Sequence, residues 1–109
     1  MQHTAVLITK EKNQENKDMA LLIKTDGTEK EIKPNNGMDF SLEELQAYVY
    51  GYIEIINLNN GNIMVVNEEG KFFCDKNETA TTIAEDHDAI FFDDYICGDV
   101  VLCKQEEVR

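Results

Sequence analysis

The spacing of apolar positions changes period at Gly51. Before it, Leu42, Leu45 and Val49 recur at three and four, with Glu43, Glu44 and Gln46 between them, which predicts a short amphipathic helix over Leu42–Tyr50. Ser41 and Glu44 have the spacing of a capping box, and Phe40 with Leu45 that of a hydrophobic staple. Gly51 is placed to end the helix with a positive φ. After it, Tyr52, Glu54, Ile56 and Leu58 alternate with Ile53, Ile55 and Asn57, which is the period of a strand. Asn60-Gly61 predicts a tight hairpin turn whose two central residues tolerate positive φ, and Asn62–Asn67 (NIMVVN) supplies the return strand. Glu68-Glu69-Gly70 reads as a second turn and Lys71–Cys74 as a third short strand.

Other segments fall around that unit. Thr4–Thr9 is a β-branched apolar run that predicts a first strand, and Lys10–Asp18 a polar connector. Met19–Lys24 and Glu29–Lys33 read as two strands joined by a tight turn at Asp26-Gly27. Pro34-Asn35-Asn36-Gly37 breaks the pattern ahead of the capped helix. Glu78–Asp88 predicts a short helix capped by Thr79, with Ile83 and Ala84 inward. Ala89–Phe92 is a compact apolar patch read as a strand, and Asp99–Lys104 is a closing strand preceded by Gly98, where a bulge or a close backbone approach fits. Gln105–Arg109 reads as a frayed tail.

These elements predict an α+β fold in one domain: a mostly antiparallel sheet of about five to seven strands, with the Ser41-capped helix on one face and the second short helix at an edge. The expected core is Val6, Ile8, Leu22, Leu42, Leu45, Val49, Ile53, Ile55, Met64, Val66, Ile83, Val101 and Cys103.

Composition narrows the classes of function. The 22 acidic and 10 basic residues among 109 leave a net charge of −12. Glu68–Arg109 holds 12 of the acids and 4 of the bases. Such a field disfavours direct binding to a phosphate backbone. No stretch is apolar for long enough to span a membrane, and the start of the chain lacks the apolar core of a secretory leader. Cys74, Cys97 and Cys103 form no Cys-x-x-Cys pair, which suits a reducing cytoplasm.

Candidate chemistry is sparse. Asp86-His87-Asp88 with Asp93-Asp94 is the densest set of potential ligands for a hard cation, but Ile90 stands where a calcium loop needs its next ligand, so the reading as an exposed acidic turn is favoured. Cys103 lies in an apolar strand, and nothing nearby marks any thiol as activated by His87. Asn67-Glu68-Glu69-Gly70-Lys71 reads either as a turn whose glycine supplies positive φ or as a polar loop offering Glu68, Glu69 and Lys71 to a partner. Tyr48, Tyr50 and Tyr52 read as packing residues, because a base-stacking platform would want basic neighbours.

Several ordered motifs resemble a family of small proteins. Leu45, Gln46, Val49, Gly51, Tyr52, Ile53 and Glu54, then Asn67, Glu68, Glu69, Gly70 and Lys71, then Asn77 and Ala80, then Ile96 and Gly98 follow the pattern of domain-of-unknown-function family 3846. Tyr50 replaces the first glycine of that family's usual pair, and Cys74-Asp75-Lys76 lacks its Leu-Pro. The likeness spans roughly Glu43–Lys104. It implies a small cytoplasmic protein of bacteria or phages, often encoded among mobile-element genes, and carries no catalytic residues with it.

The expected function is therefore a non-enzymatic protein-interaction module without cofactors, whose partner is another protein and whose contact surface draws on Glu68, Glu69, Lys71, Asn77, Asp86, Asp88, Asp93 and Asp94. Two alternatives stay open: an acidic mimic of nucleic acid that inhibits a DNA-handling protein, and an enzyme using a divalent metal at Asp86–Asp94.

Overall fold

Strand β4 (Asn62–Asn67) is apolar at four successive positions, and all four are buried. A strand buried at every interior position needs cover on both faces of its sheet. The computed structural model describes residues 20–109 and shows that cover. The expected strand Thr4–Thr9, the connector Lys10–Asp18 and the core candidates Val6 and Ile8 lie outside the described residues.

Among the described residues five antiparallel strands form one sheet: β1 (Ala20–Ile23), β2 (Glu29–Ile32), β3 (Ile53–Asn57), β4 and β5 (Val100–Lys104), in the order β2-β1-β5-β4-β3. The architecture is α+β. Alternation along the strands sends Ile63, Val65, Val101 and Cys103 to one face, where Phe40, Leu45 and Val49 cover them. Met64, Val66, Ile23 and Val100 point to the other, against Ala80, Ala84 and Ile96. Each large apolar side chain withdrawn from water contributes roughly 1.5–3 kcal/mol.

Helix α1 (Leu42–Val49) covers the first face. Ser41 Oγ accepts from the Glu44 amide at 3.2 Å, and Glu44 Oε1 accepts from the Ser41 amide at 2.9 Å. Glu44 Oε2 also accepts from the Asn35 amide at 2.7 Å, so one carboxylate both starts the helix and holds the loop before it. The staple is present: Phe40 and Leu45 are both fully buried in one cluster.

Several expectations change. Helix α3 (Glu78–Asp86) lies over the second face and not at an edge, because Met64 and Val66 would otherwise face water. Its N-cap is Asn77 and not Thr79. Lys71–Cys74 is no strand: Gly70–Phe73 forms a single helical turn, α2. Ala89–Phe92 is not a strand either. Strand β4 already has β3 on one side and β5 on the other, so no ladder position beside it remained for either segment.

The glycines also act differently from expectation. Tyr50, at φ 66°, supplies the left-handed residue after α1. Gly51 is required for space, since a Cβ there would lie 2.8 Å from Asn67 Nδ2. Gly70 likewise lacks a positive φ, and a Cβ on it would meet the Cys97 carbonyl oxygen at 2.7 Å. The β3–β4 hairpin forms where expected, but Asn59 and Gly61 take the positive φ values, not Asn60 and Gly61. Gly98 has φ 90° and packs against Cys74, the close approach its position predicts.

Of the expected core, Leu45, Val49, Met64, Val66, Val101 and Cys103 are buried, and Leu22, Ile53 and Ile83 are half-buried. Leu42, in the first turn of α1, and Ile55, on edge strand β3, are largely exposed because neither is covered on its outer side. The tail is pinned and not frayed. The Phe40 amide donates to Glu107 O at 2.6 Å, the Arg109 amide donates to Phe40 O at 3.0 Å, and Arg109 pairs with Asp39.

Candidate functional site: an aromatic wedge between two grooves

Of the five phenylalanines, only Phe40 is buried. Phe72, Phe73, Phe91 and Phe92 are 80%, 78%, 80% and 93% exposed. Exposed aromatic surface of this extent is a common feature of docking sites. Here it belongs to two segments, α2 and the 88–96 loop.

Helix α2 is held at both ends. Asn67, closing β4, donates from Nδ2 to Val49 O at 2.9 Å and accepts from the Glu69 amide at 2.7 Å, which joins the end of α1 to the turn that begins α2. Gly70 then packs on the Cys97 carbonyl. Beyond α2, Lys76 bridges Cys97, the Asn77 amide donates to Ile96 O, and the Gly98 amide donates to Asp75 O. One helical turn with two exposed phenylalanines is thus mounted on the sheet.

The 88–96 loop is fastened too. His87 closes α3: its ring Nδ1 lies 2.9 Å from Ile83 O, so this nitrogen donates and Nε2 is left to accept from Asn60 Nδ2 at 3.1 Å. Asp88 takes φ 53°, turning the chain back. Thr81 Oγ donates to Asn77 O at 2.8 Å and accepts from the Ile96 amide at 2.9 Å, locking the far end. Asp94 accepts from the Tyr95 amide and pairs with Lys71, which ties the loop to α2.

A groove of about 530 Å³ runs between α2 and this loop. Its floor is apolar, made by Ile56, Val66, Ile90 and Ile96, and its rim carries Phe72, Phe91 and Tyr95. Glu54, Glu68 and Asp88 line it as well, and none has a side-chain hydrogen bond or ion pair among the described residues. Lys71 lies in the same groove, but its ammonium is paired with Asp94 and sits 4.8 Å from the Tyr95 ring centroid. The Asp94 hydrogen bond raises the Lys71 pKa above its ordinary value, and Lys71, followed by the Tyr95 amide, lowers that of Asp94. On the other side of α2, Phe73 lines a smaller, more open groove with Tyr50 and Tyr52. Phe72 and Phe73 thus form a wedge between two clefts.

The residues singled out in the sequence divide accordingly. Glu68, Lys71, Asp88 and Asp94 meet at the larger groove, while Glu69 lines the smaller one. Asp86 and Asp93 are exposed and line neither. Asn77 is fully buried, with its amide donating to Ile23 O at 3.0 Å and Gly98 O at 2.9 Å, so it braces the fold and offers no contact surface. Tyr48 packs edge-on against Phe40, as expected of a core aromatic, whereas Tyr50 and Tyr52 are exposed. Among the described residues, no three His, Cys, Asp or Glu side chains are grouped to hold a metal ion.

Burial raises the Cys97 thiol pKa and pushes that of Cys103 up to about 12, so neither is poised as a nucleophile. Periodicity alone does not mark these phenylalanines as exposed. Two adjacent aromatics in Lys71–Cys74 and two more in Ala89–Phe92 look like buried strand, but both sides of the buried strand β4 are taken by β3 and β5.

No curated protein and no solved structure matches the chain. The family description "Domain of unknown function (DUF3846)" matches residues 17–108, which extends the likeness through β1 and β2 at one end and through the pinned tail at the other. The protein belongs to the DUF3846 family.

Proposed function

We propose that this protein is a non-enzymatic interaction module whose working surface is the Phe72–Phe73 wedge with its flanking grooves. The observation that carries this reading is the exposure of four phenylalanines on two segments that are themselves hydrogen-bonded and ion-paired into place. Mobile apolar residues are common on surfaces; rigidly mounted aromatic clusters characterise the energetic centres of protein interfaces. The partner is another protein. A chain of net charge −12 has no electrostatic attraction for nucleic acid. The three free thiols support a reducing cytoplasm, and the family resemblance supports a bacterial phage or mobile element as the setting.

The nucleic-acid mimic is the weaker reading. A surrogate for a phosphate backbone needs an uninterrupted anionic track, and here Phe72, Phe91 and Tyr95 stand among the carboxylates.

The test is Phe72→Ser with Phe91→Ser. Both side chains are exposed, so stability is expected to stay within about 0.5 kcal/mol of the parent in urea unfolding. Proteins captured by the tagged parent from the producing cells are expected to be lost. Retention of the same captured proteins by the double variant overturns the assignment.

A further inference from the structure

The larger groove combines an apolar floor, aromatic rims and uncompensated negative charge, and this combination selects a partner chemistry. We propose that it receives a cationic, apolar-faced peptide segment of the partner protein. Apolar side chains of that segment lie on Ile56, Val66 and Ile90, while Lys or Arg side chains meet Glu54, Glu68 and Asp88. The inference rests on the reading of the wedge as an interaction surface and adds what the surface recognises.

Lys71 is the cation in the groove, and its charge is taken up by Asp94 and the face of Tyr95. Glu54, Glu68 and Asp88 are therefore left without a balancing charge beside an apolar floor. An acidic or phosphorylated ligand would be repelled. A purely apolar ligand would cover three carboxylates and leave them unpaired, which is costly. A segment with both apolar and cationic side chains satisfies floor and walls together, and an Arg guanidinium can also stack on Phe72 or Phe91. A groove of about 530 Å³ holds several side chains, not a whole domain. The chain's own first 19 residues are a poor match: Lys10, Lys12 and Lys17 are offset by Glu11, Glu15 and Asp18, so that segment carries no net positive charge.

The experiment titrates the full-length protein with three synthetic peptides of equal length. Each has Leu at helical spacing, and the remaining positions are Arg, Gln or Glu. Binding is read by fluorescence anisotropy at low and at physiological salt. The Leu/Arg peptide is expected to bind, more weakly at the higher salt, and the Leu/Glu peptide is not. The pair Glu54→Gln with Asp88→Asn, which keeps the left-handed turn at Asp88, is expected to weaken Leu/Arg binding on the order of five- to tenfold. Phe72→Ser is expected to weaken it as well.

The control is Glu29→Gln with Glu31→Gln on β2, which changes net charge equally at the opposite edge of the sheet and is expected to change nothing. Equal weakening by the two charge pairs overturns the inference, since net charge alone would then explain binding. Equal binding of the Leu/Gln and Leu/Arg peptides overturns the cationic assignment while the interaction surface stands. Absence of any peptide binding overturns it too. The surface itself falls only if Phe72→Ser with Phe91→Ser leaves capture of the cellular partner intact.

Discussion

The side-chain amide of Asn77 donates to the backbone carbonyl of Ile23 at 3.0 Å, across 54 positions of sequence. The same nitrogen donates to Gly98 O, and Asn77 Oδ1 accepts from the Ala80 amide to cap α3. One buried amide therefore joins the end of β1, the approach to β5 and the start of the helix covering the second face.

Asn77→Asp keeps the size and the cap but turns a donor into an acceptor, leaving two buried carbonyls facing a carboxyl group. The expected loss is about 2–4 kcal/mol, from two unsatisfied acceptors and a buried charged group. Asn77→Ala removes the cap as well and is expected to cost at least as much. Urea midpoints for the two variants check this. A loss under about 0.5 kcal/mol for both, the scale of an ordinary surface change, would mean that Asn77 is not buried as described.

Tyr50 and Gly70 give predictions of opposite sign. Tyr50 holds a left-handed conformation that disfavours any side chain by about 1–2 kcal/mol, so Tyr50→Gly is expected to raise the melting temperature despite the greater freedom of the unfolded chain. Gly70→Ala places a methyl group 2.7 Å from the Cys97 carbonyl oxygen, a backbone atom that cannot swing away. It is expected to destabilise by about 1–3 kcal/mol and to disturb α2. A calorimetric scan of both variants reads the two signs at once.

Acid stability follows from four carboxylates, one of them Asp26, which hydrogen bonds from Thr28 hold below its ordinary pKa. Glu44 is held below its ordinary pKa by the Ser41 and Asn35 amides, Asp39 by Asn36 and then Arg109, and Asp94 by Lys71 and then the Tyr95 amide. Each is lower in the folded than in the unfolded chain. The stability they contribute is thus present above the ordinary carboxylate range and is lost as pH falls through and below it. Lys71 is shifted upward, so its contribution is present below the ordinary lysine range and fades as pH rises through its raised value. Urea midpoints measured against pH are expected to fall at the acid end, and Glu44→Gln to flatten that fall.

Thiol accessibility separates the three cysteines. Cys74 is half-buried, whereas Cys97 and Cys103 are buried with raised pKa values. A thiol reagent under native conditions is expected to modify Cys74 first, and the other two only when the protein unfolds. Mass spectrometry of partially labelled protein reads the order. Rapid native labelling of Cys97 would contradict the packing described for it.

Local chemistry made much of the fold legible. The Ser41–Glu44 box, the Phe40–Leu45 staple and the Asn62–Asn67 strand are as the sequence predicts, because each depends on neighbours within a few residues. The site was less legible. Glu68, Lys71, Asp88 and Asp94 could be picked out as polar groups, but nothing in their order showed that Lys71 would be neutralised by a residue 23 positions away. Nor did it show that Asn77 would be interior.

What the sequence by itself determined is the set of local units: a capped helix, a hairpin and two further strands with a turn at Gly27, each written in periodicity and short-range hydrogen bonds. Tertiary structure decided how those units share the sheet. Once β3 and β5 flank β4, the apolar segments at Lys71–Cys74 and Ala89–Phe92 have no place beside that central strand, and their phenylalanines stay exposed, with Phe72 and Phe91 lining one groove and Phe73 the other. A strand has two edges, and which segments occupy them is settled by competition among distant parts of the chain, a contest that no local pattern records.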